Sequence, residues 1–432
     1  MKSLIDCAGS VGAEFEIYSR SSETKSVSIE NSELKDVKSC MSSGVGLRLI
    51  KNGMSGLSFT RNLTDPESLV KNAMASLRAG VEAKFTFPCT KEYLKLRTNS
   101  VKSGQITSDE LLAESFRMRD LLARKAKAQV NAGARLFTAE YRLINSAGTD
   151  ISWKESSVEK YGSLISAGGS EYSAGDSGFD LLPMSDASLL NVVRLFEADR
   201  AEIRPEPGKQ KVLFMPRAMN TLLWRVQSGA NGQSLHQKIT PLAGRIGEKV
   251  FSDILTLRNN PLNDSIPGAR SVDDEGVPCS NFPLIDRGVF KGFYCDLNFA
   301  AKTGSVPTGH GFRRSMWGGD PVILKPQPYL GHLFFDKGEK SFDALLKEMG
   351  KGIVVFSALG DHTGNIPNGD FSVGLSLGLC VENGRIVGKA KDTMVSGNIY
   401  DIMKRAVAVG SESEPAYSNN PPVLFDGVDV SS

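Results

Sequence analysis

KVLFMPRAMNTLLWRVQSGANG, running from Lys211 to Gly232, reads as a strand that turns directly into a helix. The apolar run from Lys211 to Met215 is short enough for a strand, and Pro216 suits a first helical turn, where its missing N–H would have had no partner. Leu222, Leu223 and Val226 then recur at helical spacing. Just upstream, Arg204-Pro-Glu-Pro-Gly208 is the clearest linker in the chain, because two prolines flanking an acid continue neither a helix nor an inner strand. The stretch therefore opens a second part of the molecule.

Upstream of the linker the pattern mixes both kinds of element. Phe15 and Ile17 alternate with Glu14 and Glu16, Val27 and Ile29 repeat the alternation, and Val45 to Ile50 can pair with Met54 to Phe59 across Lys51-Asn52-Gly53. Thr64 with Glu67, and Thr107 with Glu110, have capping-box spacing at the heads of two helices, the first closing at Gly80 and the second reaching about Gln129. A strand over Leu136 to Ile144, a turn at Asn145 to Gly148, a strand from Ile151 and a helix over Asp186 to Asp199 complete this part. Downstream, short strands separated by Gly, Pro and Asn dominate, with one further helix at Ser341 to Met349. The fold class is α+β. Residues 1–205 form an α+β N-terminal part, and 209–432 a mostly β C-terminal part containing the Lys211–Gly232 helix.

The chain has 432 residues, ample for two or three domains and a large core. Its 51 basic and 49 acidic residues leave a formal charge of +2, and no block of five like charges occurs. A dedicated nucleic-acid surface needs clustered Lys and Arg, so no nucleic acid is expected as a partner. No apolar run approaches the ~20 residues of a membrane helix, and the first residues lack the apolar core of a signal peptide. Six scattered cysteines without a C-x-x-C pair read as reduced, buried thiols, and a cytoplasmic location with no membrane contact is expected.

Four motifs in order, Lys347 to Val355, Gly364 to Gly374 (GNIPNGDFSVG), Val381 to Ile386 and Gly397-Asn398 through Val409-Gly410, resemble the TldD/PmbA (TldE) family. Some members of this family carry the label of DNA gyrase modulators. The peptidase subunit of that family bears a His-Glu-x-x-x-His zinc motif on the helix corresponding to the opening stretch. Here the register places Leu223 and Ser228 at the histidine positions and Trp224 at the glutamate position. Zinc needs imidazole, thiolate or carboxylate donors, and hydrolysis needs a base. The family's cysteine ligand after the Val-Gly turn is also missing, since Ser411 to Ser432 holds neither Cys nor His. The resemblance thus implies the TldE-like subunit without a metal or cofactor of its own. Its implied partner is a zinc-bearing TldD-like paralogue in a heterodimer, with a homodimer as fallback, and the implied substrate is an unfolded or extended peptide. Two other classes stay open: a regulatory adaptor of the gyrase-modulator kind, and an independent hydrolase with an unrecognised site.

His236, His310, His332 and His362 share no ligand spacing and read as surface or structural residues. Asp361-His362 with Ser372 could suggest a hydrolytic triad, but neighbours on an extended segment face opposite ways. Gly44-Val-Gly46 precedes a strand, the wrong context for a phosphate cradle. Trp224 and Arg225 read either as packing in the place of a metal or as contacts to peptide or partner. Arg313-Arg314 reads either as a solvated pair or as a clamp on a carboxylate or the partner. The loop with Gly364, Asn365 and Asp370 reads either as strand turns or as a peptide-binding edge.

Overall fold

A computed structural model describes residues 1–198, 201–315, 318–415 and 418–432. The N-terminal part is one antiparallel sheet of seven strands in the order β4-β3-β2-β1-β5-β6-β7, made of β1 (Glu14–Glu30), β2 (Glu33–Lys51), β3 (Met54–Thr60), β4 (Val81–Glu82), β5 (Gln129–Asn145), β6 (Asp150–Ile165) and β7 (Glu171–Gly178). The expected β2–β3 hairpin forms, with Lys51 opposite Met54 and Asn52 and Gly53 at φ of 52° and 73° in the turn. The β5–β6 turn also forms at Asn145, whose Oδ1 accepts from the N–H of Ala147 and Thr149.

Strand periodicity divides this sheet into two unlike faces. Ile17, Leu47, Leu49, Ala132 and Ala134 point to one side and are buried under α1 (Lys2–Ser10), α2 (Pro66–Ser76), α3 (Ser108–Lys125) and α4 (Asp186–Ala198). Glu16, Tyr18, Arg20, Tyr141 and Glu155 lie in register on the other. The Thr107–Glu110 capping box is complete, but α2 is capped one residue later than expected, by Asp65 accepting from Ser68 N–H. Helix α3 stops at Lys125 because β5 already begins at Gln129, and Asp199, the expected last residue of α4, lies outside the described residues.

After β8 (Glu202–Ile203), the Pro-rich link leads into β9 (Gly208–Phe214), α5 (Met219–Gly229) and α6 (Gly232–His236). Pro216 sits in the turn between strand and helix, three residues before α5 begins. A four-stranded sheet follows, ordered β12-β11-β10-β15, from β10 (Leu257–Asn259), β11 (Phe282–Asp286), β12 (Val289–Phe290) and β15 (Leu333–Phe335). Between β12 and β15 lie α7 (Leu297–Thr303) and the small pair β13 (Gly311–Phe312) and β14 (Gln327–Pro328). Helix α8 (Phe342–Met349) precedes β16 (Gly352–Leu359), β17 (Asp370–Glu382), β18 (Arg385–Ala390) and β19 (Met394–Asn398); α9 (Ile399–Ile402), β20 (Ala406–Val409) and β21 (Val423–Ser431) end the chain. Because β16 pairs with both β9 and β17, the strands β16-β9-β21-β19-β17 close into a ring.

Alternation along β9 serves two cores. Val212 and Phe214 join Leu222, Leu223 and Val226 of α5, whereas Leu213 and Met215 join side chains of α3, α4 and α8. The second core therefore contains residues from both sides of the linker. The expectation of buried thiols needs correction: Cys279, Cys295 and Cys380 are buried, but Cys40 and Cys89 are exposed, and no described cysteine is disulfide-bonded.

Candidate functional site

Helix α5 has a dry face and a wet one. Met219, Leu222 and Val226 are fully buried, while Asn220, Leu223, Trp224, Gln227 and Ser228 line a cleft of about 1420 Å³. Their spacing of three and four residues puts them on one helical face. Leu223 straddles the boundary, 2 % exposed in the core yet forming part of the cleft wall. Trp224 and Ser228 are half-buried. The packing reading of Trp224 is thus corrected in part: its ring belongs to the cleft wall and not to the core of α5.

Arg225 points the other way and is fully buried. Its guanidinium donates to three backbone carbonyls, Thr221 at 2.7 Å, Thr363 at 2.7 Å and Asp370 at 2.6 Å, and so ties α5 to the loop before β17. Contact with peptide or partner is excluded by this burial. The loop's polar residues are likewise engaged with one another. Asp370 accepts from Asn368 and Asn398, Asn365 Oδ1 accepts from Asn368 N–H, and Gly364 at φ 91° brings its Cα close to the carbonyl of Asp370. Gly364, Asn365 and Asp370 are absent from the cleft wall, to which this loop contributes Asp361 and His362. These two residues occupy a turn, not the extended segment considered from sequence, and Asp361 accepts from Thr221 Oγ1 at 2.6 Å.

A second wall comes from the segment after Gly410, where Pro415, Ser418, Asn419 and Asn420 face the cleft. Asn420 is 2 % exposed and behaves like a neighbouring peptide group. Its Oδ1 accepts from Phe335 N–H at 2.9 Å and its Nδ2 donates to Leu333 O at 3.3 Å, closing the free edge of β15. An extended peptide cannot add to that edge of β15.

The third wall is the sheet face opposite the helices. Arg135, Phe137 and Tyr141 of β5 and Glu155 and Glu159 of β6 project into the cleft at alternate positions. Tyr141 stacks on Trp153 at 4.9 Å, and Arg270 lies 4.4 Å over the same Trp153 while pairing with Asp274 at 2.7 Å. Next to this wall a buried ionic chain joins the two parts of the molecule: Arg48 pairs with Glu16 and with Glu275 at 2.7 Å each, and Arg313 pairs with Glu16 at 2.5 Å. The two arginines read together from sequence therefore separate. Arg313 is buried and committed to Glu16 and the carbonyl of Leu324, so it is not solvated; Arg314 is exposed beside Tyr329 in the cleft wall.

The histidines are structural where their bonding is visible. His310 is fully buried, with Nδ1 2.9 Å from Thr308 Oγ1 and Nε2 3.0 Å from Asn259 Nδ2, and burial lowers its pKa from 6.5 to about 4. Because Asn259 Oδ1 already accepts from His332 N–H, Asn259 can only donate to His310, which fixes the neutral ring protonated on Nδ1. Burial also pushes up the thiols of Cys279, Cys295 and Cys380, the opposite of what a nucleophile needs.

Zinc does not fit the helix. Leu223 offers no donor atom, the Trp224 indole N–H only donates, and Ser228 is a neutral hydroxyl. Among the described residues no three His, Cys, Asp or Glu are grouped as a metal site. Sequence reasoning missed Asn420, Arg270 and the aromatic wall. The alternation of Arg135, Phe137 and Tyr141 with buried Ala134 and Leu136 was the available signal for a strand covered on both faces.

Fold and site together define an α+β protein built round a deep cleft, with the α5 side chains Leu223, Trp224 and Ser228 in its wall. Comparison with known proteins gives the particular family. The PmbA/TldA metallopeptidase C-terminal domain matches residues 207–432, and domain 1 of the same family matches residues 15–77. The chain belongs to the PmbA/TldD metallopeptidase family. It is 26 % identical to a metalloprotease of Methanothermobacter thermautotrophicus, over 92 % of this chain and 88 % of that protein. Its fold is similar to that of TldE from Thermococcus kodakarensis, with a TM-score of 0.89, 22 % identity and full coverage of both chains. It is also similar to a protein from Thermotoga maritima described as a modulator of DNA gyrase, with a TM-score of 0.85, 23 % identity and coverage of 100 % and 99 %. Among the described residues no helix is long and apolar enough to cross a membrane.

Proposed function

We propose that this chain is the non-catalytic subunit of a two-subunit TldD/TldE-type peptidase. Its cleft receives an unfolded or extended peptide, and a metal-bearing TldD-like paralogue supplies zinc and the hydrolytic step; in the absence of that paralogue the chain pairs with itself through the corresponding surface. The observation that carries this reading is the cleft face of α5. Leu223, Trp224 and Ser228, where the family's zinc-binding subunit has its motif, and the segment after Gly410, where that subunit has its cysteine, line one cavity. The position of a catalytic site is kept while its donors are replaced. With the β15 edge closed by Asn420, side chains hold the peptide: Trp224, Phe137, Tyr141, Phe312 and Tyr329 offer aromatic surface along the cleft.

The test is cleavage of an unfolded, casein-like polypeptide by the purified chain, by a zinc-bearing paralogue and by the two together. The reading expects no cleavage by the chain alone, co-purification of the two, and cleavage by the pair. Proteolysis by the chain alone that survives chelation and repurification would overturn it.

A further inference from the structure

Among the described residues five arginines line the cleft, and four of them lie near a carboxylate of the chain itself. Arg20 lies 3.7 Å from Asp320, Arg135 3.8 Å from Glu159, Arg270 2.7 Å from Asp274 and Arg313 2.5 Å from Glu16. Arg314, exposed like Arg135, has no carboxylate within ion-pair distance among the described residues, although Glu155 and Asp274 act on its charge from further away. Its guanidinium carbon lies 5.6 Å from the centre of the Tyr329 ring, and Tyr329 is itself part of the cleft wall. The backbone carbonyl of Arg314 accepts from the side-chain amide of Gln327, which anchors the main chain at this point while leaving the fork of N–H donors open.

We infer that Arg314 is the anion anchor of the cleft, and that the peptides bound there present it with a carboxylate, either the C-terminal α-carboxylate or an Asp or Glu side chain. A planar guanidinium matches a carboxylate with two parallel hydrogen bonds, and the face of Tyr329 holds the plane without satisfying any of its donors. A concave wall excludes part of the competing water, so a positive charge without a direct carboxylate partner there attracts an anion more strongly than the same residue on a convex surface. Arg270 and Arg313 do not compete for the ligand, because each would have to give up a hydrogen-bonded carboxylate first, whereas Arg20 and Arg135 stand 3.7 Å and 3.8 Å from their acids. This inference rests on the peptide-binding reading above and adds to it the chemistry of one end of the ligand.

The experiment measures fluorescence-anisotropy titrations of the whole chain with three labelled peptides of one neutral, extended sequence: one with a free C-terminus, one amidated, and one amidated with a central Glu. Each is titrated against wild type, Arg314→Gln and Arg314→Lys, with thermal melts to establish that the exposed substitutions leave the fold intact. The free acid should bind wild type about tenfold more tightly than the amide, in line with a charge-assisted bidentate pair. That gap should disappear in Arg314→Gln and shrink in Arg314→Lys, which keeps the charge but loses the fork. Recovery of affinity by the Glu peptide identifies side-chain carboxylates as ligands as well, whereas no recovery restricts the anchor to the C-terminus. Equal binding of acid and amide by wild type, or a gap that persists in Arg314→Gln, overturns the inference and leaves peptide binding standing. Failure of all three peptides to bind overturns both.

Discussion

Arg225 shows how much one buried cation can fix. Its three carbonyl acceptors lie on α5 and on the two ends of the loop before β17, and Arg225→Met would remove the side-chain donor from all three, leaving Thr221 only its helical N–H. Losing these bonds should destabilise the chain by about 3 kcal/mol, measured by urea unfolding, with the loop's amides exchanging faster. A loss under about 0.5 kcal/mol would mean that water replaces the guanidinium at little cost. His310 gives a separate test with a defined sign. Its folded pKa of about 4 lies below the ordinary 6.5, so the unfolded chain binds the extra proton between those values. The contribution of His310 to stability is therefore fully present above pH 6.5 and falls away towards pH 4. In an NMR titration its ring signals should stay those of the neutral form down to about pH 4. A midpoint near 6.5 would show that the Asn259 and Thr308 contacts do not select the neutral ring.

Helix α5 forms part of the cleft wall, and it was also the part of the cleft most legible in sequence. Leu222, Leu223 and Val226 at helical spacing marked its apolar side, of which Leu223 also reaches the cleft wall, and the resemblance put Leu223, Trp224 and Ser228 at the motif positions. What periodicity could not say is that Trp224 stops half-buried at the cleft wall, because a tryptophan fits either side of an amphipathic helix. Trp224→Ala should therefore cost well under the roughly 3 to 5 kcal/mol of a core tryptophan while weakening peptide binding several-fold. A core-sized stability loss with unchanged peptide affinity would return Trp224 to a packing role. The triple variant Leu223→His, Trp224→Glu and Ser228→His should remain without peptidase activity, because the segment after Gly410 still lacks the cysteine. Zinc loading together with cleavage by that variant would contradict this. Asn420 was not legible at all. Its role depends on β15 ending a sheet beside it, 85 positions away in the chain, and no local pattern marks an Asn that imitates a strand. Asn420→Ala leaves two buried backbone groups unpaired and should cost about 2 kcal/mol in denaturant unfolding.

At the scale of the whole molecule, the α+β class and the β2–β3 and β5–β6 hairpins followed from local patterns, whereas β8, ahead of the Pro-rich link, pairs with β18 of the C-terminal sheet. The way the two parts meet did not follow from local patterns. Arg48 reaches Glu275 across 227 positions, and Arg313 reaches Glu16 across 297, so the ionic chain exists only once the sheet face and β13 have come together. Breaking it by Arg48→Met should destabilise the protein by about 3 to 5 kcal/mol, because Glu16 and Glu275 would keep buried charge with fewer partners. The same meeting of parts creates the cleft, with one wall from the N-terminal sheet and the others from α5 and the segment after Gly410. On the proposed reading the chain keeps the enclosing architecture of its peptidase family round a helix whose ligand face has been replaced. Elemental analysis of the untagged chain, dialysed first against excess zinc and then against metal-free buffer, tests that claim most directly. The account expects no stoichiometric zinc, and one tightly held zinc per chain would contradict it.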